Sequence, residues 1–347
     1  MTGTLENDLR IKFKLDNSQD DACGRFTGKK FDVPVLIYIQ ITKERYMYNP
    51  CRSHKVITIL TAFLLTLFVF SVQTAPATEC DRDCLKGMIT QYIDALVGHD
   101  PSRLPLAENV RFTEDSKILK PGDGLWQTVT GKDPFRQDYL DTEKQIAATH
   151  MVVREGKNQA LCSVLLYIKD MKIAGIETLV EHITPESRIQ PNQLGAPIKG
   201  MNDPVPAGKK LSRESLIRTA LTYTEGLRIG SFTDAGTPFA PETYRVENGV
   251  IMAGKGCERE NSGMYEQYIT LHPGIIASVA AVDEEKGIVL LWMNFGHAGS
   301  AYGEGNSLVT FEAFKIWGNK IHSIVAFFRA LPLATARFWP TSDPVSR

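Results

Sequence analysis

An internal repeat limits the fold of this sequence more than any other feature. The segment 172–176 (KIAGI) recurs as 320–324 (KIHSI), 148 positions later. The segment 114–118 (EDSKI) matches 247–251 (ENGVI), 133 positions later. Two matches at similar offsets predict two consecutive copies of one unit.

Each copy is predicted to begin with an amphipathic helix. Apolar residues at three-and-four spacing indicate one helix from about Asp81 to Val97 and another from a Ser212 N-cap to about Leu227. Stretches rich in β-branched and aromatic residues follow each helix. The predicted strands are 110–113, 146–154, 160–169 and 173–183 in the first copy, and 243–247, 265–271, 275–282, 288–295, 308–316 and 321–328 in the second.

This order predicts an α+β fold with two tandem cone-shaped, curved antiparallel sheets, each wrapped on its N-terminal helices. The domain boundaries follow from composition. Residues 1–77 form an N-terminal extension with an apolar run, 78–183 the first unit, 184–211 a linker rich in Pro and Gly, 212–340 the second unit, and 341–347 a tail.

The apolar run at 56–72 follows a short basic stretch and precedes Ala75 and Ala77, which fit the A-x-A pattern of signal peptidase. Cleavage there would start the mature chain at Thr78, and the sequence therefore predicts a secreted protein. The alternative is a single-pass membrane anchor formed by the same run. The true start is open between Met1 and Met47, because Met47 would begin a signal peptide of ordinary length.

Four cysteines remain after such cleavage: Cys80, Cys84, Cys162 and Cys257. An even number in an oxidising compartment predicts disulfides, although four cysteines permit three pairings. Two cysteines four positions apart bond poorly within a regular helix, which favours a bond from Cys80 or Cys84 to one of the distant cysteines. No His lies at ligand spacing near them, so we expect no metal site.

The balance of 39 basic and 40 acidic residues, a net charge of -1, disfavours nucleic acid as a partner. The segment 249–256 has the glycine spacing of a phosphate-binding loop, but glycine stands where Ser or Thr should bind magnesium. Fingerprints of dinucleotide binding, zinc hydrolases and serine hydrolases do not occur in the sequence. We therefore expect no cofactor.

Four segments carry a resemblance to a known family: 80–85 (CDRDCL), 99–106 (HDPSRLPL), 109–114 (NVRFTE) and 122–126 (GDGLW). Over about residues 80–340 the chain resembles an uncharacterised secreted family, domain of unknown function 8021. Its order of elements resembles the α+β cone of the nuclear transport factor 2-like or SnoaL-like superfamily, here in tandem. The resemblance implies a fold, a secreted location and a cavity open at one end, but no activity.

Enzymes of that superfamily rely on a carboxylate or His in an apolar pocket, where burial raises the pKa of a carboxyl group. The catalytic candidates are Asp123, His150, Arg111 and Glu177, all in the first copy. Asp123 lies in a glycine-bracketed stretch, for which the alternative is an ordinary tight turn. An inward Arg111 would bind a substrate carboxylate or Asp123.

The ligand-binding candidates are Trp126, Tyr92 and His182. Trp126 would lie at the pocket mouth beside Asp123, and His182 would pair with His150 if both side chains point inward. The alternative is that Trp126 is a plug and that the strand His and Glu side chains are solvated or have their hydrogen bonds satisfied. In the second copy, the loop 296–305 is either a lid or a plain long hairpin.

Two hypotheses follow for function. The first is a secreted protein that binds a small apolar molecule and acts as a cofactor-independent lyase, isomerase or cyclase by acid–base chemistry. The second is a non-catalytic secreted binding or interaction module. The membrane would be a partner only through 56–72, and the oligomeric state is open.

Overall fold

The structure, a computed structural model, describes residues 79–192, 194, 198–297 and 302–340. The apolar run at 56–72, its predicted cleavage site and the tail 341–347 lie outside these described residues. Within the described ranges, none of the helices has the length and hydropathy that a membrane span requires.

The first half consists of one long helix followed by a six-stranded sheet. Its elements are α1 (Arg82–Val97), β1 (Leu106–Glu114), β2 (Lys117–Leu119), β3 (Gly131–Asp141), β4 (Ile146–Glu155), β5 (Asn158–Lys169) and β6 (Lys172–Ile183), with short 3-10 turns at Pro101–Arg103 and Gly124–Gln127.

The second half repeats this plan. Its elements are α2 (Arg213–Ile229), β7 (Phe239–Glu247), β8 (Val250–Gly254), β9 (Ile276–Asp283), β10 (Ile288–Asn294), β11 (Asn306–Trp317) and β12 (Lys320–Pro332).

The two sheets have the same strand order, β2-β1-β6-β5-β4-β3 in the first half and β8-β7-β12-β11-β10-β9 in the second. The predicted α+β class with two tandem cone-like domains is confirmed. Each sheet is nevertheless mixed rather than purely antiparallel, because β1 pairs in parallel with β6 and β7 with β12. The first strand of each copy joins the free edge of the last strand in the same direction.

Several local predictions differ from the structure, and the short strands β2 and β8 were not predicted. Strand β3 was missed because charged residues and Pro134 interrupt the alternation in its first half. The segment 265–271 is not a strand and instead forms turns and irregular backbone. There Tyr265 is held by its side chain, whose hydroxyl donates to the Thr237 carbonyl at 2.8 Å.

Both helices begin where a polar side chain caps them. Asp81 accepts a hydrogen bond from the Cys84 amide at 2.9 Å, and Ser212 accepts one from the Ser215 amide at 3.3 Å. Helix α2 ends at Gly230, whose φ of 76° is the left-handed conformation that glycine adopts without strain. Each helix packs its apolar residues onto one face of its own sheet.

The other faces of the two sheets pack against each other through a shared apolar cluster that includes Phe135, Tyr139, Trp292, Phe311 and Phe327. Two matching ion pairs join the halves. Arg82 binds Asp283 through two hydrogen bonds of 2.8 and 2.7 Å, and Arg213 binds Asp141 through two of 3.0 and 2.7 Å. This reciprocal pattern is that of a symmetric dimer contact built within one chain.

The structure contains a disulfide between Cys80 and Cys84, while Cys162 and Cys257 are free thiols. The expectation that Cys80 or Cys84 would pair with a distant cysteine is wrong. Cys80 precedes the N-cap Asp81 and is not helical, so the two Cα atoms approach to 5.3 Å. The constraint of a regular helix therefore does not apply to this pair.

Candidate functional site

The interior of the second half contains a cavity of about 550 Å³. Side chains of α2, β7, β11 and β12 form its walls, together with the segment 268–272. The first half also contributes, since Glu181 and Ile183 of β6 and Arg188 of the following segment line the same cavity. The site is therefore built by both halves.

Glu312 is the most unusual group in this cavity. It lies on β11 and is only 2% exposed. Burial raises the pKa of its carboxyl group to about 8, although nearby Arg245 acts in the opposite direction. At neutral pH the group is therefore mainly protonated and can donate a proton.

Tyr223 and Arg245 hold this carboxyl group in a polar network. The Tyr223 hydroxyl makes a hydrogen bond to Glu312 and accepts one from Arg245 Nη1 at 3.0 Å. Arg245 Nε lies 2.6 Å from Glu247 Oε1. Burial lowers the pKa of the Arg245 guanidinium. The nearby Tyr223, Glu247 and Glu312 raise this pKa by more, so that the net shift is upward. A fixed positive charge therefore stands beside Glu312.

His272 lines the same cavity. Burial lowers the pKa of its imidazole, which favours the neutral ring. The ring contacts Phe295 edge-on at 4.9 Å and lies parallel to Tyr302 at 6.3 Å. Its Nδ1 is buried without a hydrogen-bond partner among the described residues. A polar ligand in the cavity could satisfy that atom.

The interior of the first half is filled instead. The paired registers and the helix positions equate Tyr92 with Tyr223, Phe112 with Arg245, and Val164 with Glu312. The three residues of the first half are buried, and Trp126 packs edge-on against Tyr92 with ring centroids 5.6 Å apart. Apolar side chains thus replace the charged pair of the second half.

Trp126 reaches this interior on the 3-10 turn Gly124–Gln127. Glu114 fixes the turn by accepting hydrogen bonds from the Leu125 amide at 3.2 and 3.1 Å. Gly124 lies against that carboxylate at a φ of 66°, and a Cβ atom there would come within 2.3 Å of Glu114 Oε1. The glycine-bracketed stretch is therefore shaped for close contact with Glu114.

Asp123 and Trp126, the two predicted residues of this stretch, have different environments. Asp123 is half-buried in a turn, where its Oδ2 accepts a hydrogen bond from the Lys120 amide at 3.2 Å. Trp126 and Tyr92 are each only 1% exposed and form part of the apolar core. These contacts match the turn and plug alternatives, while a catalytic role of Asp123 stays a prediction.

Arg111 and Glu177 contact the C-terminal segment. Arg111 Nη1 donates to the Phe338 carbonyl at 3.0 Å. Glu177 makes two hydrogen bonds with Arg337, of 2.9 and 2.8 Å, and accepts one from the Tyr167 hydroxyl at 2.6 Å. Both predicted residues therefore lie on the face of the first sheet that is turned away from α1, which we call its outer face.

The two predicted histidines are apart from each other. His150 is fully buried between the sheets, where it bonds the Tyr139 hydroxyl at 3.0 Å and stacks on Phe327, and burial lowers the pKa of its imidazole to about 3. His182 is half-exposed and pairs with Glu155 at 2.6 Å. None of the seven predicted site residues lines the cavity around Glu312 or a second cavity, of about 830 Å³, on the other face of the second sheet.

Sequence reasoning missed Glu312, Arg245 and Tyr223. A signal existed in the alternation along β11, where Leu308, Thr310, Glu312, Phe314 and Ile316 share one face. The matching positions of the first copy carry no charge. One carboxylate on an otherwise uncharged inner face would have identified the site. Among the described residues, no three His, Cys, Asp or Glu side chains are grouped to hold a metal ion.

The comparisons with known proteins agree with the repeat analysis on the second half. The family model "Domain of unknown function (DUF8021)" matches residues 209–328, which confirms the resemblance for that region. Curated protein sequences give no match.

Two solved structures are similar to parts of the chain. One is a de novo designed protein with a curved β-sheet, 14% identical, with a TM-score of 0.26, covering 29% of this chain and 88% of that one. The other is a protein from Kribbella flavida DSM 17836 described as a ketosteroid isomerase, 15% identical, with a TM-score of 0.25, covering 33% of this chain and 94% of that one.

Proposed function

We propose that the second half binds a small organic molecule in the Glu312 cavity and moves a proton on it without a cofactor. The observation that carries this proposal is the buried carboxyl group of Glu312, which lines a cavity of about 550 Å³ and has a pKa raised to about 8. A catalytic acid or base works best when its pKa lies near the working pH.

The neighbouring groups support this chemistry. In its ionised form Glu312 can take a proton from an acidic C–H bond, and in its protonated form it can return that proton to another atom of the same molecule. The positive charge of Arg245 and the Tyr223 hydroxyl favour negative charge that develops on a substrate oxygen. Because the proton is only moved between atoms of one molecule, an isomerisation needs no oxidant or reductant.

The charges around the cavity favour a substrate with a polar or anionic part. Its lining contains four arginines and three glutamates, of which Glu312 is mainly protonated at neutral pH. The arginines are Arg188, Arg245, Arg259 and Arg329, and the other two glutamates are Glu181 and Glu247. This excess of positive charge attracts electron-rich oxygens.

The raised pKa of the Glu312 carboxyl group can be tested without knowing the substrate. Carboxyl-selective NMR of protein with ¹³C-labelled glutamate should show one glutamate that titrates near pH 8 and is missing in Glu312→Gln. If Glu312 instead titrates in the ordinary range of a glutamate side chain, the proposal loses its basis.

The proton transfer is tested in D₂O with a panel of carbonyl compounds that have acidic C–H bonds. The wild-type protein should exchange deuterium into at least one compound, and Glu312→Gln should slow this by about 10²- to 10⁴-fold. Glu214→Gln is the matched control, because Glu214 is exposed on α2 and pairs only with surface groups. Equal rates for the two variants would refute an acid–base role for Glu312.

We further propose that the chain is exported and processed before Thr78. The disulfide between Cys80 and Cys84 supports this, since disulfides persist mainly in oxidising compartments. N-terminal sequencing of protein from the culture medium should find Thr78 at the start. An intact segment 56–72 in the membrane fraction would instead indicate an anchor.

A further inference from the structure

A second cavity, of about 830 Å³, lies on the outer face of the second sheet beneath the segment 198–206 of the linker. Tyr244 and Val246 line it, and they alternate along β7 with Arg245 and Glu247 of the Glu312 cavity. The two cavities are therefore on opposite faces of one sheet, and nothing in the acid–base proposal uses the outer one.

The first half shows what the matching position can hold. There the indole of Trp339, from the C-terminal segment, stacks on Tyr167 with ring centroids 4.4 Å apart and planes 4° apart. The Arg111 guanidinium lies over the same ring at 4.9 Å, and Trp339 Nε1 donates to Thr113 Oγ1 at 2.7 Å. The position thus holds an aromatic ring beside another ring and a cation.

The strand registers identify the corresponding residues of the second half. They equate Arg111 with Tyr244, Tyr167 with Lys315, Thr113 with Val246, and Gly175 with Ser323. All four residues of the second half line the outer cavity. The aromatic and the cationic residue have exchanged places, so a ring bound there would again meet one of each.

The cover over this position differs between the halves. In the first half Trp339 lies so close to Gly175 that a Cβ atom would come within 2.4 Å of its ring. In the second half the linker places Met201 against Ser323, with 3.1 Å between Met201 Sδ and Ser323 Oγ. A thioether is thinner than an indole, and the space beside it remains open.

Lys315 fixes the linker above the cavity. Its ammonium donates hydrogen bonds to the carbonyl oxygens of Asp203 at 2.5 Å, Lys286 at 2.7 Å and Met201 at 3.4 Å. The Tyr244 hydroxyl also bonds the Lys199 carbonyl. The cavity roof is therefore tied to the same two residues that would flank a bound ring.

We propose that the outer cavity binds a planar aromatic molecule with an O–H or N–H donor, with its ring between Tyr244 and Lys315. Val246 cannot accept the hydrogen bond that Thr113 accepts in the first half. The acceptor is instead Glu242, which lines the cavity, pairs with His322 at 2.6 Å and has a half-exposed carboxylate.

The test uses 2-naphthol and its saturated counterpart decahydro-2-naphthol, which share a hydroxyl group and differ in aromaticity. Binding to the full chain is followed by saturation-transfer NMR and titration calorimetry. We expect 2-naphthol to bind at least about fivefold more tightly than the saturated compound, and Tyr244→Leu to weaken it by about 3- to 10-fold. Ile251→Trp, which places a bulkier side chain in the cavity, should weaken binding.

Glu312→Gln is the control variant, because it changes the inner cavity alone and should leave the 2-naphthol affinity unchanged. Equal affinity for the two compounds, or normal binding by Ile251→Trp, would overturn the proposal. Loss of binding in Glu312→Gln would place the ring in the inner cavity and also overturn it. Unchanged thermal unfolding of Tyr244→Leu shows that its loss of affinity does not come from misfolding.

Discussion

The interior of the first half is closed by Trp126, whereas the corresponding interior of the second half contains Glu312 beside a cavity of about 550 Å³. Both interiors lie between a helix and a six-stranded sheet of the same strand order. The difference arises at a few inner positions, where apolar residues of one half are replaced by charged residues of the other. One fold can thus serve as packed support or as a site, depending on those positions.

The packed half also completes the site of the other. Arg329 of β12 lines the cavity and bonds Asp115 and the Val180 carbonyl of the first half, the latter at 2.6 Å. Glu181 of β6 lines the cavity from the first half. A rigid, filled first half therefore provides a fixed wall for the open one.

The largest effect is expected when a carboxyl group is placed in the packed interior. Val164→Glu should lower the free energy of unfolding by about 4 kcal/mol or more, because this position has Phe112 nearby where the second half has Arg245. Urea unfolding measures the loss. The reverse change, Glu312→Val, is the control, and we expect it to cost less, about 1–3 kcal/mol, because Tyr223 loses a hydrogen-bond partner while Arg245 keeps Glu247. Equal losses would show that the two interiors are not different environments.

Opening the filled interior should have the next largest effect. Trp126→Ala removes a fully buried indole and should cost about 3–5 kcal/mol in the free energy of unfolding. Trp317→Ala provides the control, since Trp317 is only partly buried at the edge of the outer cavity and should cost less. If Trp126→Ala kept wild-type stability, the plug description of the first half would be wrong.

The repeat made the fold predictable, but not the site. The matches at 172–176 and 320–324 lie on the last strand of each copy, and these strands hold equivalent places in the two sheets. A site depends on which interior stays open. Trp126 fills the interior of the first half from a turn that lies outside the matched segments. Arg111 lies over the ring of Trp339, which the distant C-terminal segment contributes, and this contact could not be predicted from the sequence.

A pH-dependent effect is expected at Glu312. Burial raises the pKa of Glu312 from 4.5 to about 8, so between these values the folded protein holds a proton that the unfolded chain has released. This contribution to the free energy of unfolding is complete below the lower value and is lost as the pH rises, by about 1.4 kcal/mol per pH unit. The difference between wild type and Glu312→Gln, measured by urea unfolding, should therefore keep changing up to about pH 8.

Glu114 provides the matched control from the packed half. Burial raises the pKa of its carboxyl group to about 7, since hydrogen bonds from Leu125 offset only part of the cost. The difference between wild type and Glu114→Gln should have the same sign but level off near pH 7. Identical curves for the two variants would contradict a distinct environment at Glu312.

The smallest effect is expected for Asp123→Asn, the variant that tests the sequence-based choice of the first half as the site. The hydrogen bond from the Lys120 amide to Asp123 Oδ2 closes a partly exposed turn, and weakening it should cost about 0.5–1.5 kcal/mol. Because Asp123 lies outside the lining of both large cavities, deuterium exchange and 2-naphthol binding should stay at wild-type levels. If Asp123→Asn instead slowed exchange by about 10²-fold while Glu312→Gln did not, the proton-transfer site would belong to the first half. The two variants measured side by side therefore decide which copy carries the chemistry.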